Sequence, residues 1–183
     1  MDIIIPVRNG LELRLRKESD AEAVFQAIDK NRTYLKQWLP WLDESTITED
    51  TRKFIRSDID DFEKKNGLDL GIWYEKQWVG GIGYHGWGGK KRKSSIGYWL
   101  SEDCQGKGIM TASVQALVNH GFNEMNLNRI EIRCATENVK SRSIPQRLGF
   151  VMEGTLRQAE WLYDHFVDIV VYSTIKDEWN SCK

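Results

Sequence analysis

Residues 104–122 read CQGKGIMTASVQALVNHGF, a lysine between two glycines running straight into an amphipathic segment. Val114, Leu117, Val118, Phe122 and Met125 recur at i, i+3 and i+4, with the small Gly121 on the same stripe, so this segment reads as a buried-face helix. Its first turn falls at about Gly106–Ile109. The N–H groups of the loop therefore belong to a helix N-terminus, where they are unpaired and the dipole favours an anion. Ser94–Leu100 in front of it reads as a strand, and strand, glycine-rich loop, helix is a recurring way to hold phosphate. An ordinary turn is the other reading of the same glycines. Two nucleotide motifs are excluded. Gly83 and Gly88 have the Walker spacing, but Gly89 stands where the lysine belongs. Gly106 and Gly108 are followed by Thr111 where a dinucleotide fingerprint needs glycine.

The rest of the chain supplies a sheet and helices around this unit. Leu11, Leu13 and Leu15 alternate with charged residues as in a half-buried strand. Ser19 to Glu22 reads as a capping box before the stripe Ala21, Val24, Phe25 and Ile28. An aromatic loop broken by Pro40 leads to a second helix at about 48–65, acidic through Asp58, Asp60, Asp61 and Glu63. That face is either solvated or a surface for a basic substrate, and Gly67 closes the helix. Residues 68–74 and 77–85 read as a hairpin turning at Glu75-Lys76, with a glycine-rich loop after it. Arg129–Ala135 is a strand, 138–149 a short helix, and Phe150–Trp161 and His165–Ile175 two closing strands. This order predicts an α/β (α+β) fold, a mixed and mostly antiparallel sheet of about seven strands with about four helices, in one continuous domain over 1–183.

Composition narrows the function. Net charge is −1 with 29% charged residues, which gives no global case for DNA or an anionic membrane. No run of about 18 apolar residues and no signal-peptide core is present, so a soluble, cytoplasmic protein is expected. Cys104, Cys134 and Cys182 are widely spaced and read as free thiols, with no metal-ligand spacing to His85, His120 or His165.

The chain resembles the GNAT (Gcn5-related) N-acetyltransferases, in particular the RimJ/RimL-type group that acetylates ribosomal-protein N-termini. Four ordered blocks carry the resemblance. Gln105-Gly106-Lys107-Gly108-Ile109-Met110 matches the acetyl-CoA loop [Q/R]xxGx[G/A], with Met110 in place of a small residue; ATENVKSRSIPQRLGF at 135–150 matches the segment that meets the cofactor arm; WLPW at 38–41 matches a tryptophan-rich loop; and EGTLRQAEWLYDHFVDIVVYS at 153–173 matches the closing strand pair. The resemblance implies acetyl-CoA as co-substrate and no metal. It implies pyrophosphate held from Gln105 through Gly106, Lys107, Gly108, Ile109 and Met110 to Thr111, and contacts from Asn138 and Ser141. Helix capping is the alternative role for these last two. Pro145 is expected to displace or kink the start of their helix.

The resemblance also implies direct acetyl transfer to an amine. A bulge splays the family's strands 4 and 5, and here Tyr98, Trp99 and Leu100 would offer amides to the pantetheine and one, assigned to Leu100, to the thioester oxygen. Gly97 fits a close backbone approach. Glu160 is the expected base: set among Ala159, Trp161 and Leu162, its carboxyl would titrate higher if buried, an exposed strand residue being the alternative. His85 competes for that role, Ser141 would meet the leaving thiolate, and Cys134, on an apolar face, is set aside as a nucleophile. Trp38, Trp41, His85 and Trp87 are the expected acceptor wall, core packing being the alternative for the tryptophans. The acceptor is a protein N-terminus or a small amine. A homodimer through the closing strands is what the family allows. A non-catalytic module, touching RNA through Lys90-Lys91-Arg92-Lys93 or binding only coenzyme A, is the alternative class.

Overall fold

The structure, a computed structural model, describes residues 3–87 and 92–181. Its frame is an eight-stranded sheet: β1 Ile4–Arg8, β2 Leu11–Leu15, β3 Gly67–Tyr74, β4 Gln77–His85, β5 Lys93–Leu100, β6 Arg129–Ala135, β7 Val151–Leu162 and β8 His165–Ile175. The spatial order is β1-β2-β3-β4-β5-β6-β8-β7. Every neighbouring pair is antiparallel except β5 and β6. Parallel neighbours need a crossover, and the helix α4, Ile109–Asn123, supplies it. The remaining helices are α1 Ala21–Lys30, α2 Arg32–Leu35, α3 Thr48–Glu63, α5 Val139–Arg147 and α6 Lys176–Ser181.

Alternation along the strands divides the apolar side chains between two cores. One holds Leu70, Ile72, Tyr84, Ile96 and Ile132 with Val114, Leu117, Val118 and Phe122 of α4. The other holds Ala21, Val24, Ile28 and Ile55 of α1 and α3 with Trp78, and Trp41 and Trp99 pack against it. Tyr98 and Trp99 are thereby sent to opposite faces of the sheet.

The sheet has one strand more than the seven expected, and the extra strand is β1. It carries Pro6 and an exposed Ile4, which hide its period, and it sits at the edge, where a missing N–H is tolerated. The expected capping box at Ser19–Glu22 is not formed. Asp20 instead accepts the Lys17 N–H at 2.8 Å, before α1 begins at Ala21. Past α3 the left-handed residue is Lys65, not Gly67, which already belongs to β3. The acidic face is not all solvated either. Asp58 is 8% exposed and pairs with Arg16 at 2.6 Å, with Asp69 at 3.3 Å from the same guanidinium. Among the described residues no helix is long and apolar enough to cross a membrane.

Candidate active site

The opening at the centre of the sheet comes from a ladder that stops. β5 and β6 pair in parallel from Lys93↔Arg129 to Ile96↔Ile132 and go no further, leaving Gly97–Leu100 without a partner on that side. Against β4, the same strand runs in unshifted register from His85↔Ser95 to Gly80↔Leu100. The expected splay of this strand from β6 is therefore present, with no bulge against β4. The expected role of Gly97 also changes. A Cβ there would stand 2.4 Å from Nε2 of His85, so its bareness makes room for that ring.

Below the opening lies the glycine loop. Gly106 and Gly108 have φ of +73° and +70°, and Gly108 is the left-handed N-cap of α4 with no side-chain cap of its own. Side chains rarely adopt this conformation, and that is what selects glycine at both positions. A Cβ on Gly106 would meet nothing within 4 Å, so the loop borders open space. Lys140 donates to Oε1 of Gln105 at 2.9 Å, and Arg147 to Oγ1 of Thr111 at 3.2 Å. Two cations of α5 thus flank the unpaired amides, an arrangement suited to a phosphate. Neither was foreseen, although both lie in the segment that follows Asn138. Lys107 faces away: its carbonyl accepts from Arg8 at 2.8 Å, and it lies outside the cavity wall. Met110 is 7% exposed, so its bulk goes into the core.

Across the gap, Asn138 caps α5 by accepting the Ser141 N–H at 3.1 Å. The helix starts at Val139 with its cap intact, so Pro145 does not displace that start. What Pro145 does is leave the carbonyl of Ser141, four residues back, without its helical donor. The Tyr98 hydroxyl fills that vacancy at 3.0 Å. With its hydrogen committed, Tyr98 can only accept from the Ser141 hydroxyl, 3.2 Å away. Ser141 Oγ then accepts from the thiol of Cys134, also at 3.2 Å. Burial pushes Cys134 above the ordinary thiol range, and burial likewise holds the Tyr98 phenol well above its usual value, so both keep their protons at neutral pH.

On the acceptor side, Glu160 is exposed, so the condition of burial among Ala159, Trp161 and Leu162 is not met. Trp41 stacks on Phe54 with ring centroids 6.1 Å apart and leans on Trp99 at 6.4 Å. The Tyr163 hydroxyl donates to the Leu39 carbonyl at 2.7 Å and ties this loop to the β7–β8 turn. Trp87 lies elsewhere: it stacks on Phe62 against the core, as the packing alternative had it.

A cavity of about 1050 Å³ is lined by Gly106, Gly108 and Lys140 at the glycine loop and α5, by Tyr98 and Ser141 at the splay, and by Glu160 on β7. Leu100, Trp99, Gln105, Ile109, Met110, Thr111, Asn138, Trp38, Trp41 and His85 also border it, so of the expected site residues only Lys107 and Trp87 do not. Of the basic cluster, Lys90 and Lys91 lie outside the described residues, as does Cys182. Arg92 is engaged with Asn126, donating to its carbonyl at 2.9 Å and its Oδ1 at 2.7 Å. Among the described residues no group of three or more His, Cys, Asp and Glu side chains is placed to hold a metal ion.

Comparison with known proteins identifies the family. Residues 11–151 match the acetyltransferase (GNAT) domain family. A putative ribosomal N-acetyltransferase, YdaF of Bacillus subtilis (strain 168), is 34% identical over 181 residues, covering 97% of each chain. The ribosomal-protein-serine acetyltransferase of Escherichia coli (strain K12) is 34% identical over 173 residues, 94% of this chain and 97% of that one. Among solved structures, RimL, a ribosomal L7/L12 alpha-N-protein acetyltransferase bound to coenzyme A through a cysteine disulfide, superposes with a TM-score of 0.92. It is 34% identical and covers 96% of this chain and 99% of its own.

Proposed function

We propose that this chain, which belongs to the GNAT acetyltransferase family and is an acetyl-CoA-dependent N-acetyltransferase, acts on the α-amine of a protein N-terminus, a ribosomal protein foremost. The observation that carries the reading is the continuous cavity from the glycine loop through the splayed strands to Glu160. Its phosphate end offers backbone amides and two cations, while its far end is lined by Trp38 and Trp41 and opens to solvent beside the exposed Glu160 carboxylate. An open mouth of this kind suits a chain terminus. The names of the relatives support the same acceptor class.

In this reading the amides of Gly106 and of Gly108 to Thr111, with Lys140 and Arg147, hold the pyrophosphate, and the free edge of Gly97–Leu100 pairs with the pantetheine. The solved relative's coenzyme is joined to a cysteine, and the cavity thiol at the splay here is Cys134, which supports placing the coenzyme sulfur beside Ser141. Glu160 accepts a proton from the substrate ammonium, directly or through one water. The amine nitrogen then attacks the thioester carbon. A backbone N–H at the end of β5, assigned to Leu100, stabilises the oxyanion. The C–S bond breaks, and the electron pair leaves on sulfur. Ser141 turns its hydroxyl from Tyr98 to the departing thiolate, which takes up the proton that the new amide nitrogen gives off and ends as the free thiol. His85, at the far edge of the same cavity, is a substrate contact in this scheme.

The test is thiol release from acetyl-CoA with a panel of amines. Peptides beginning with Ser or Ala, a polyamine, free amino acids and an aminoglycoside make up the panel. Turnover confined to the peptides is the expected result. Turnover confined to small amines would keep the chemistry and remove the protein acceptor.

A further inference from the structure

Glu160 reaches the cavity only because β7 carries two more residues than its partner. β7 and β8 pair at Leu156↔Ile169 and again at Glu160↔Val167. Three residues, Arg157, Gln158 and Ala159, therefore face Asp168 alone. A regular ladder continued from Leu156↔Ile169 would bring Gln158 opposite Val167. Glu160 would move to a place opposite His165, about 7 Å further along the strand at the usual rise per residue. Val167 borders the cavity, so the register decides whether a carboxylate or a carboxamide faces the amine.

No glycine eases this bulge. Gln158 takes φ of +49°, an unfavourable conformation for a side-chain-bearing residue. What holds it is Asp168, whose Oδ1 accepts the Gln158 N–H at 2.8 Å. The Asp168 carbonyl meanwhile accepts the N–H of Thr136 at 2.9 Å, just past the end of β6. One residue thus fastens the bulge to the strand end beside the splay. Bulges commonly re-aim a side chain at a functional site.

We propose that Asp168 is a positioning residue for acetyl transfer: its carboxylate holds the bulge that puts Glu160, and not Gln158, opposite Val167. The inference rests on Glu160 being the base, and the experiment separates the two claims. Turnover and coenzyme A affinity are measured for Asp168→Ala, Asp168→Asn, Glu160→Gln and the Asp168→Ala/Glu160→Gln double variant, with hydrogen exchange at the Gln158 amide. Asp168→Ala should lower kcat by about 10- to 100-fold, at or below the lower end of the range for general-base catalysis because the base is displaced and not removed, with coenzyme A affinity kept within about twofold. Asp168→Asn, which keeps an acceptor oxygen, should recover most of the activity. In the Glu160→Gln background Asp168→Ala should cost no more than about twofold, because both changes remove one function. The Gln158 amide should exchange at least about tenfold faster in Asp168→Ala. Full additivity in the double variant, or an unchanged Gln158 amide in an inactive Asp168→Ala, would overturn the positioning role while leaving the base in place. Wild-type turnover by Glu160→Gln would remove the base itself.

Discussion

The Tyr98 hydroxyl donates to the backbone carbonyl of Ser141 at 3.0 Å, and it can do so because Pro145, four residues further on, has no N–H to offer. A helix-breaking residue inside α5 is thus the reason the gap between β5 and β6 carries an ordered chain of hydrogen bonds. That chain runs from the Cys134 thiol through the Ser141 hydroxyl to Tyr98 and ends on the Ser141 carbonyl.

This relationship predicts a non-additive cycle. Tyr98→Phe should cost about 1–3 kcal/mol by leaving the Ser141 carbonyl unsatisfied. In a Pro145→Ala background an N–H is restored at position 145, so the same change should cost less than half as much. Chemical denaturation of the four proteins measures the coupling, and equal costs in the two backgrounds would refute the account.

Gly108→Ala places a side chain at φ of +70°. The left-handed conformation costs about 1–2 kcal/mol, which at this chain length lowers Tm by about 2–8 °C. Coenzyme A affinity should fall as well, because relaxing the loop turns its amides away. Calorimetric titration of coenzyme A reads the second effect, and a destabilised variant with unchanged affinity would show that the loop holds no phosphate.

Tyr163→Phe removes the tie to Leu39 and frees the tryptophan loop. KM for a peptide acceptor should rise by up to about tenfold, the worth of one net hydrogen bond. The kcat and coenzyme A affinity should stay near wild type. A fall in kcat at unchanged KM would place Tyr163 in the chemistry instead.

Asp58 gives the stability a pH dependence. Burial pushes its carboxyl up from 3.8 to about 7, with Arg16 opposing the rise and Asp69 and Asp61 adding to it. Between those values the folded chain keeps a proton that the unfolded chain loses, so this group's contribution to stability falls as pH rises through the window. Below it the two states are equally protonated, and above it the penalty is complete. Relative to wild type, Asp58→Asn should therefore gain Tm steadily from about pH 4 to pH 7. Parallel Tm curves would contradict the burial argument.

Local rules made much of the fold and site legible. The period of Val114, Leu117, Val118 and Phe122 announced α4, the alternation of 129–135 announced β6, and the glycines announced the left-handed turns in front of α4. Tertiary partners decided what stayed hidden. Pro6 masked an edge strand; the acidic pattern of α3 gave no sign that Asp58 turns inward to Arg16; Trp87 was indistinguishable from the tryptophans of the cavity until Phe62 appeared beneath it. The bulge at 157–159 is the deepest omission. It contains no glycine, and the residue that holds it, Asp168, lies ten positions away on the next strand.

The most direct test of the account is thiol release from acetyl-CoA by Glu160→Gln and wild type with a peptide beginning with Ser, alongside coenzyme A affinity. A loss of about 100-fold or more in kcat at unchanged affinity is the predicted result. Wild-type turnover by Glu160→Gln would contradict it, and would return the proton transfer to another group in the cavity, His85 first.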